Sequence, residues 1–125
     1  VLPSMKGDAM LEQGSIYIQK VLQSAATGTG NGTAVNCTDL SKGAFKIITL
    51  QVAGISGDTI TWEATIDGTN WAAFSVTNLG TAAAATTATA NGIYSADVTG
   101  IVQFRARIST YSAGTITVTG ILTSR

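Results

Sequence analysis

Four acidic residues in the body of the chain, Asp58, Glu63, Asp67 and Asp97, are its best candidates for proton transfer, because the sequence contains no His. Paired carboxylates can cleave a glycosidic bond, with one acting as acid and the other as base or nucleophile. Glu63 and Asp67 fall on the same face of one alternating run. Four positions along a strand separate side chains by roughly 13 Å, beyond the spacing such a pair requires. The simpler reading is the wet face of a strand. Asp58, Asp67 and Asp97 could in principle hold a hard cation, but no Asp-x-Asp-x-Asp-Gly loop accompanies them.

Nucleophilic chemistry fares no better. Serines are plentiful, but none has a His to pair with and none sits in a Gly-x-Ser-x-Gly turn. Cys37 is the single cysteine, so neither an intrachain disulfide nor a thiolate metal cluster can form. Its alternating apolar neighbours mark it as a small core residue. The Gly-dense stretch Gly28-Thr-Gly-Asn-Gly32 lacks the following helix and Lys-Ser/Thr of a phosphate cradle, and reads as a hinge. The expectation is a protein that is not an enzyme, with no catalytic residue, no metal and no cofactor.

Binding chemistry is better represented. Gln103, Arg105 and Arg107 line one side of a strand. They form either a ladder of cross-strand pairs with Glu63, Asp67 or Asp97, or a cationic stripe that docks on an acidic partner. Trp71, just after the turn Asp67-Gly68-Thr69-Asn70, either caps a hairpin or offers its ring to a sugar. Near the start, Ile16 and Ile18 alternate with Tyr17 in a run with no amphipathic neighbour nearby. These three are candidate partner contacts, because such a strand needs an edge to join, in its own domain or in another chain.

Composition sets the frame for these groups. Seven Lys plus Arg balance seven Asp plus Glu, and charged residues are 11% of the total. Binding nucleic acid through its phosphates needs a cationic excess that is missing, so no nucleic-acid partner is expected. No apolar run is long enough to cross a bilayer as a helix, and residues 1–13 show no export segment, so no membrane partner is expected either. Eighteen of the hydrophobic residues are Ala, while Val, Ile, Leu and Phe total 30. That suffices for a slim core. Twenty Thr and 14 Gly against one Pro favour strands joined by tight turns.

Alternation with a period of two recurs from residue 33 onward. Ile48, Leu50 and Val52 form one face of the run Lys46 to Ala53. Ile60, Trp62, Ala64 and Ile66 do the same for Thr59 to Asp67, and Val102, Phe104, Ala106 and Ile108 for the arginine-bearing run. The last run sets Ile116, Val118, Gly120 and Leu122 inward. Shorter strands are expected over Ala34 to Leu40, Trp71 to Val76 and Ile93 to Val98. Gly57-Asp58, Asp67-Gly68 and Asn91-Gly92 supply turns between them. The Ala- and Thr-rich stretch 80–92 reads as a small-residue loop or a flat edge strand. Single-faced alternation suits antiparallel sheets. The fold class predicted is all-β: an antiparallel β-sandwich, jelly-roll or Ig-like, of about seven to eight strands over 31–125, preceded by an extended N-terminal arm over 1–30.

The ordered segment Val52-Ala-Gly-Ile-Ser-Gly-Asp-Thr-Ile-Thr-Trp-Glu-Ala-Thr-Ile-Asp-Gly-Thr-Asn-Trp71 resembles small β-sandwich virion proteins of tailed bacteriophages. So do Gly92-Ile-Tyr-Ser-Ala-Asp-Val98, Phe104-Arg-Ala-Arg-Ile108 and Ser112-Ala-Gly-Thr-Ile-Thr-Val118. The likeness spans about residues 45–120 and is greatest to capsid decoration, or cement, proteins. It implies a structural protein on the phage capsid surface, made in the host cytoplasm, with the major capsid protein as partner. A homo-oligomer, a trimer by preference, would suit local threefold positions of a shell. The alternative it implies is a tail or fibre module that binds host-surface carbohydrate.

Overall fold

A computed structural model describes residues 17–39 and 43–124. The backbone runs through β1 (Tyr17–Ala26), β2 (Val35–Asn36), β3 (Thr38–Asp39), β4 (Gly43–Ala44), β5 (Ile47–Ala53) and β6 (Thr59–Thr65). It continues through β7 (Ala72–Ala73), β8 (Val76–Asn78), β9 (Ala83–Ala85), β10 (Thr87–Ala88), β11 (Gly92–Asp97), β12 (Gln103–Thr110) and β13 (Ile116–Thr123). One sheet has the order β9-β8-β11-β5-β13-β1. The facing sheet runs β10-β6-β12-β2, with β7 also paired to β6, and β3 and β4 form a separate ribbon.

The eight-strand frame β1, β2, β5, β6, β10, β11, β12, β13 decides between the two expected topologies. Numbered one to eight, these strands lie 6-3-8-1 in the first sheet and 5-4-7-2 in the second. The chain crosses between sheets at nearly every connection. That is jelly-roll order, in which two interleaved Greek keys share one core. All the pairings are antiparallel.

Alternation places the core as expected. Ile48, Leu50, Val52, Ile60, Trp62, Phe104, Ala106, Ile108, Ile116, Val118 and Leu122 are all buried. An aromatic cluster ties the layers together. Trp62 of one sheet lies 5.5 Å from Tyr94 of the other and 6.0 Å from Phe104, and Phe74 meets Phe104 edge-on at 6.1 Å. Gly120 leaves room on β13 for Leu22, Ile48 and Leu50 to pack across it.

Two local expectations are corrected, and a third is narrowed. Ile66 is 71% exposed, because β6 ends at Thr65 and the chain enters a turn before Ile66 can face the core. The run Trp71 to Val76 is not one strand: Ala72–Ala73 pairs with β6, and the chain then changes sheets before β8. In the stretch 80–92 the flat-edge reading is the one realised. Ala83–Ala85 extends the first sheet and Thr87–Ala88 edges the second.

Of the arm expected over 1–30, residues 1–16, and with them Ile16, lie outside the described residues. From Tyr17 the chain is a ten-residue strand on the edge of the larger sheet, paired with β13. The sandwich therefore begins before residue 31. Two extra residues interrupt this pairing, around Leu22 and Ala25. Ala25 has a positive φ of 49°. The first bulge turns both Leu22 and Gln23 inward.

Candidate functional site

On the outer face of the smaller sheet, β6 and β12 lie in register with Arg105 opposite Glu63 and Arg107 opposite Thr61. Alternation puts Phe104, Ala106 and Ile108 into the core, so the two arginines must emerge on the same outer side. Arg105 Nε donates to Glu63 Oε1 at 2.8 Å, and Arg107 Nε donates to Glu63 Oε2 at 3.1 Å. The Glu63 side chain is only 11% exposed beneath them. It was expected on a solvated face, but two guanidinium stems and their neighbours cover it. Asp67 and Asp97, the other expected partners, do not join the ladder.

Trp71 sits beside this group. The Arg105 guanidinium carbon stands 4.0 Å from its ring centroid, so one face of the indole is occupied by a cation. Both proposed roles of Trp71, hairpin cap and ring platform, refer to a side chain clamped at the end of the Arg–Glu–Arg ladder. Next along the face, Thr61 Oγ1 and Ser109 Oγ are 2.8 Å apart, and Gln103 Nε2 donates to Asn36 Oδ1 at 3.0 Å.

The carboxylates have structural surroundings. Asp67 Oδ1 accepts from the backbone N–H groups of Thr69 and Asn70, each at 2.8 Å, and from Thr65 Oγ1 at 2.9 Å. The Asn70 side-chain amide donates to Oδ2 at 2.7 Å. The donors of Asn70, then Thr69 and Thr65, hold its carboxyl well below the usual carboxylate range. Asp97 is lowered by the backbone and side chain of Thr99, with a smaller contribution from Lys46. Asp58 is buried. Burial pushes its acidity one way, and the N–H groups of Ser112, Ser56 and Ala113 outweigh it, so its carboxyl also lies low. Cys37 is fully buried, and burial pushes its thiol up to about 12, as suits a core residue.

The outer face of the larger sheet is different. Its cross-strand rows read Gln19–Ile121–Thr49–Ser95–Thr77 and Val21–Thr119–Gln51–Ile93. A third row, Tyr17–Thr123–Ile47–Asp97, carries the only carboxylate of the three. Tyr17 is 77% exposed, and Val21, Ile93 and Ile121 also show large apolar area. A shallow depression lies among Gln19, Thr49, Gln51, Ile93, Thr119 and Ile121. Ile18 points the other way and packs against the core.

Thus the structure brings Trp71, Arg105 and Arg107 together and puts Tyr17 on the opposite outer face. Sequence reading singled out Tyr17 on this second surface but missed Val21, Ile93 and Ile121, because its apolar members come from strands up to about 100 residues apart. Among the described residues, no group of three or more Cys, Asp and Glu is placed to hold a metal ion. No described helix is long and apolar enough to span a membrane.

The crystal structure of the SPBc2 prophage-derived protein YomS superposes with a TM-score of 0.79 at 21% identity, over 91% of this chain and 98% of that one. The crystal structure of the PBSX exported protein XepA superposes with a TM-score of 0.82 at 14% identity, over 90% of this chain and 39% of that one. No curated protein sequence shows significant similarity to the chain. The family model XepA matches residues 17–122, and the chain belongs to the XepA family.

Proposed function

We propose that this is a phage-encoded, non-enzymatic binding module that works through the flat outer faces of its jelly roll, and specifically a capsid decoration protein. The observation that carries the reading is the outer face of the larger sheet. Tyr17, Val21, Ile93 and Ile121 lie exposed on a broad surface of Thr and Gln with a single carboxylate at its margin. Large apolar side chains exposed in a polar setting suit a protein–protein contact. The prophage origin of YomS and the membership in the XepA family support the phage assignment. The partner in this reading is the major capsid protein, the location is the virion surface, and the active form is a homo-oligomer, with the trimer preferred on threefold sites. Many copies on a lattice would turn weak single contacts into firm attachment.

Co-sedimentation of the purified protein with undecorated capsids tests this. Saturable binding, weakened at least tenfold by Val21→Asp or Ile121→Asp with the β-sheet circular dichroism unchanged, is expected. Absence of binding to capsids would overturn the decoration role. Light scattering would read the subunit number directly.

A second reading, a tail or fibre module that contacts host-surface carbohydrate, draws on Trp71 beside Arg105 and on the exported character of XepA. A glycan array, repeated with Trp71→Ala on any hit, separates it from the first.

A further inference from the structure

The Arg105–Glu63–Arg107 ladder is unbalanced, and the imbalance points outward. One carboxylate faces two guanidinium groups, leaving the ladder itself with a net positive charge. Each arginine commits its Nε–H to Glu63, and among the described residues no acceptor engages the Nη groups of either. Those Nη atoms are not sealed in. Among the described residues the buried polar atom left without a partner is Trp62 Nε1, in the core. The side chains of Arg105 and Arg107 are 17% and 35% exposed, enough for the fork edges to reach solvent while their stems are held.

We propose that Arg105 and Arg107 form a docking site for an extended acidic protein segment that carries carboxylates at alternate positions. Three features favour that occupant. Charge is complementary: the site carries surplus cation, and guanidinium forks recognise planar carboxylates with two parallel hydrogen bonds. Spacing is complementary too. Side chains two apart on β12 stand roughly 6.7 Å from one another, the same repeat that an extended partner presents on one of its faces. Finally, the forks are prepositioned. Glu63 fixes both Nε groups, and Trp71 stacks on the Arg105 plane at 4.0 Å, so little side-chain freedom remains to be lost on binding. The hydroxyls of Thr61 and Ser109, next to Arg107, could serve the backbone of such a segment. This site is on the face opposite the one invoked above and stands whether or not that one binds capsids.

Fluorescence anisotropy with a labelled, end-blocked Thr-Glu-Thr-Glu-Thr-Glu-Thr peptide at low ionic strength tests it. The full-length protein should bind this peptide, and raising salt to about 0.5 M should weaken binding severalfold, because exposed charge pairs are screened. The matching Gln peptide should bind at least tenfold more weakly. Arg107→Gln, which keeps the Arg105–Glu63 pair and hence the fold, should also lose about tenfold, and Arg107→Lys should fall between. Equal binding of the Glu and Gln peptides, no effect of Arg107→Gln, or no binding at all would each overturn the proposal. So would stronger binding of oligogalacturonate at matched carboxylate concentration, which would assign the site to acidic sugars.

Discussion

Asp58 and Ser112 join two turns that the sequence separates by 54 residues. Asp58 Oδ1 accepts the backbone N–H of Ser112 at 2.5 Å and that of Ala113 at 3.2 Å, while Oδ2 accepts from Ser56 at 2.9 Å. The carboxylate thereby pins the β5–β6 connection to the β12–β13 connection. A buried anion is tolerable here because three backbone donors replace its water.

Replacing Asp58 removes an acceptor from three N–H groups at once. Asp58→Ala should lower the melting temperature by about 5–10 °C at neutral pH. The pH dependence has a definite sign. The folded-state carboxyl is held below its ordinary value, so its stabilisation is fully present above that ordinary value, near 4. It is lost as pH falls through the lower folded-state value. The melting difference between wild type and variant should therefore shrink below about pH 4, which scanning calorimetry across pH 2–7 would reveal.

Among the described residues, Glu63 is the single counter-charge for two arginines. Glu63→Ala leaves both guanidinium groups facing each other on a half-covered surface and should cost about 2 kcal/mol in a urea melt. That lies below the figure for fully buried pairs, since Arg107 is a third exposed. A destabilisation under about 0.5 kcal/mol would mean that the ladder is an exposed ornament of the sheet.

Two glycines should respond very differently to Ala. Gly54 has φ of +89°, and a Cβ there would overlap the carbonyl oxygen of Thr115 at 1.7 Å. Backbone cannot yield as a side chain can, so Gly54→Ala should cost about 3 kcal/mol or prevent folding. Gly120 lies within a regular strand, and its added Cβ would meet the methyl ends of Leu22, Ile48 and Leu50 at 3.1–3.3 Å. Those ends can shift, and Gly120→Ala should cost about 1 kcal/mol or less. Chemical denaturation of the two variants side by side checks the contrast.

The Cys37 thiol should be inert in the native protein. Fully buried and pushed up to about 12, it offers almost no thiolate at pH 8. A disulfide reagent such as Ellman's should label it at the rate of unfolding, and fully in 6 M guanidinium. Rapid native labelling would mean that the β2 edge opens readily.

Residue pattern alone sets which side of each long strand faces in. The period-two pattern of Ile48/Leu50/Val52, Phe104/Ala106/Ile108 and Ile116/Val118/Leu122 is dictated by the pleat, and the same parity sends Arg105 and Arg107 outward. It also determined that the long strands belong to antiparallel sheets, since each buries one face. The two- and three-residue strands escaped it because so few residues carry no measurable period, and Ile66 misled it because alternation does not announce where a strand stops. Who pairs with whom is settled in the folded molecule. Residue type along one strand says nothing of the strand beside it. The choice of jelly-roll over Ig-like order, the docking of Tyr17–Ala26 on β13, and the selection of Glu63 over Asp67 and Asp97 as the arginines' partner all rest on registers between distant segments. Those registers are set by how the two inner faces pack around Trp62, Tyr94 and Phe104. That packing is a property of the whole fold, which no single strand encodes.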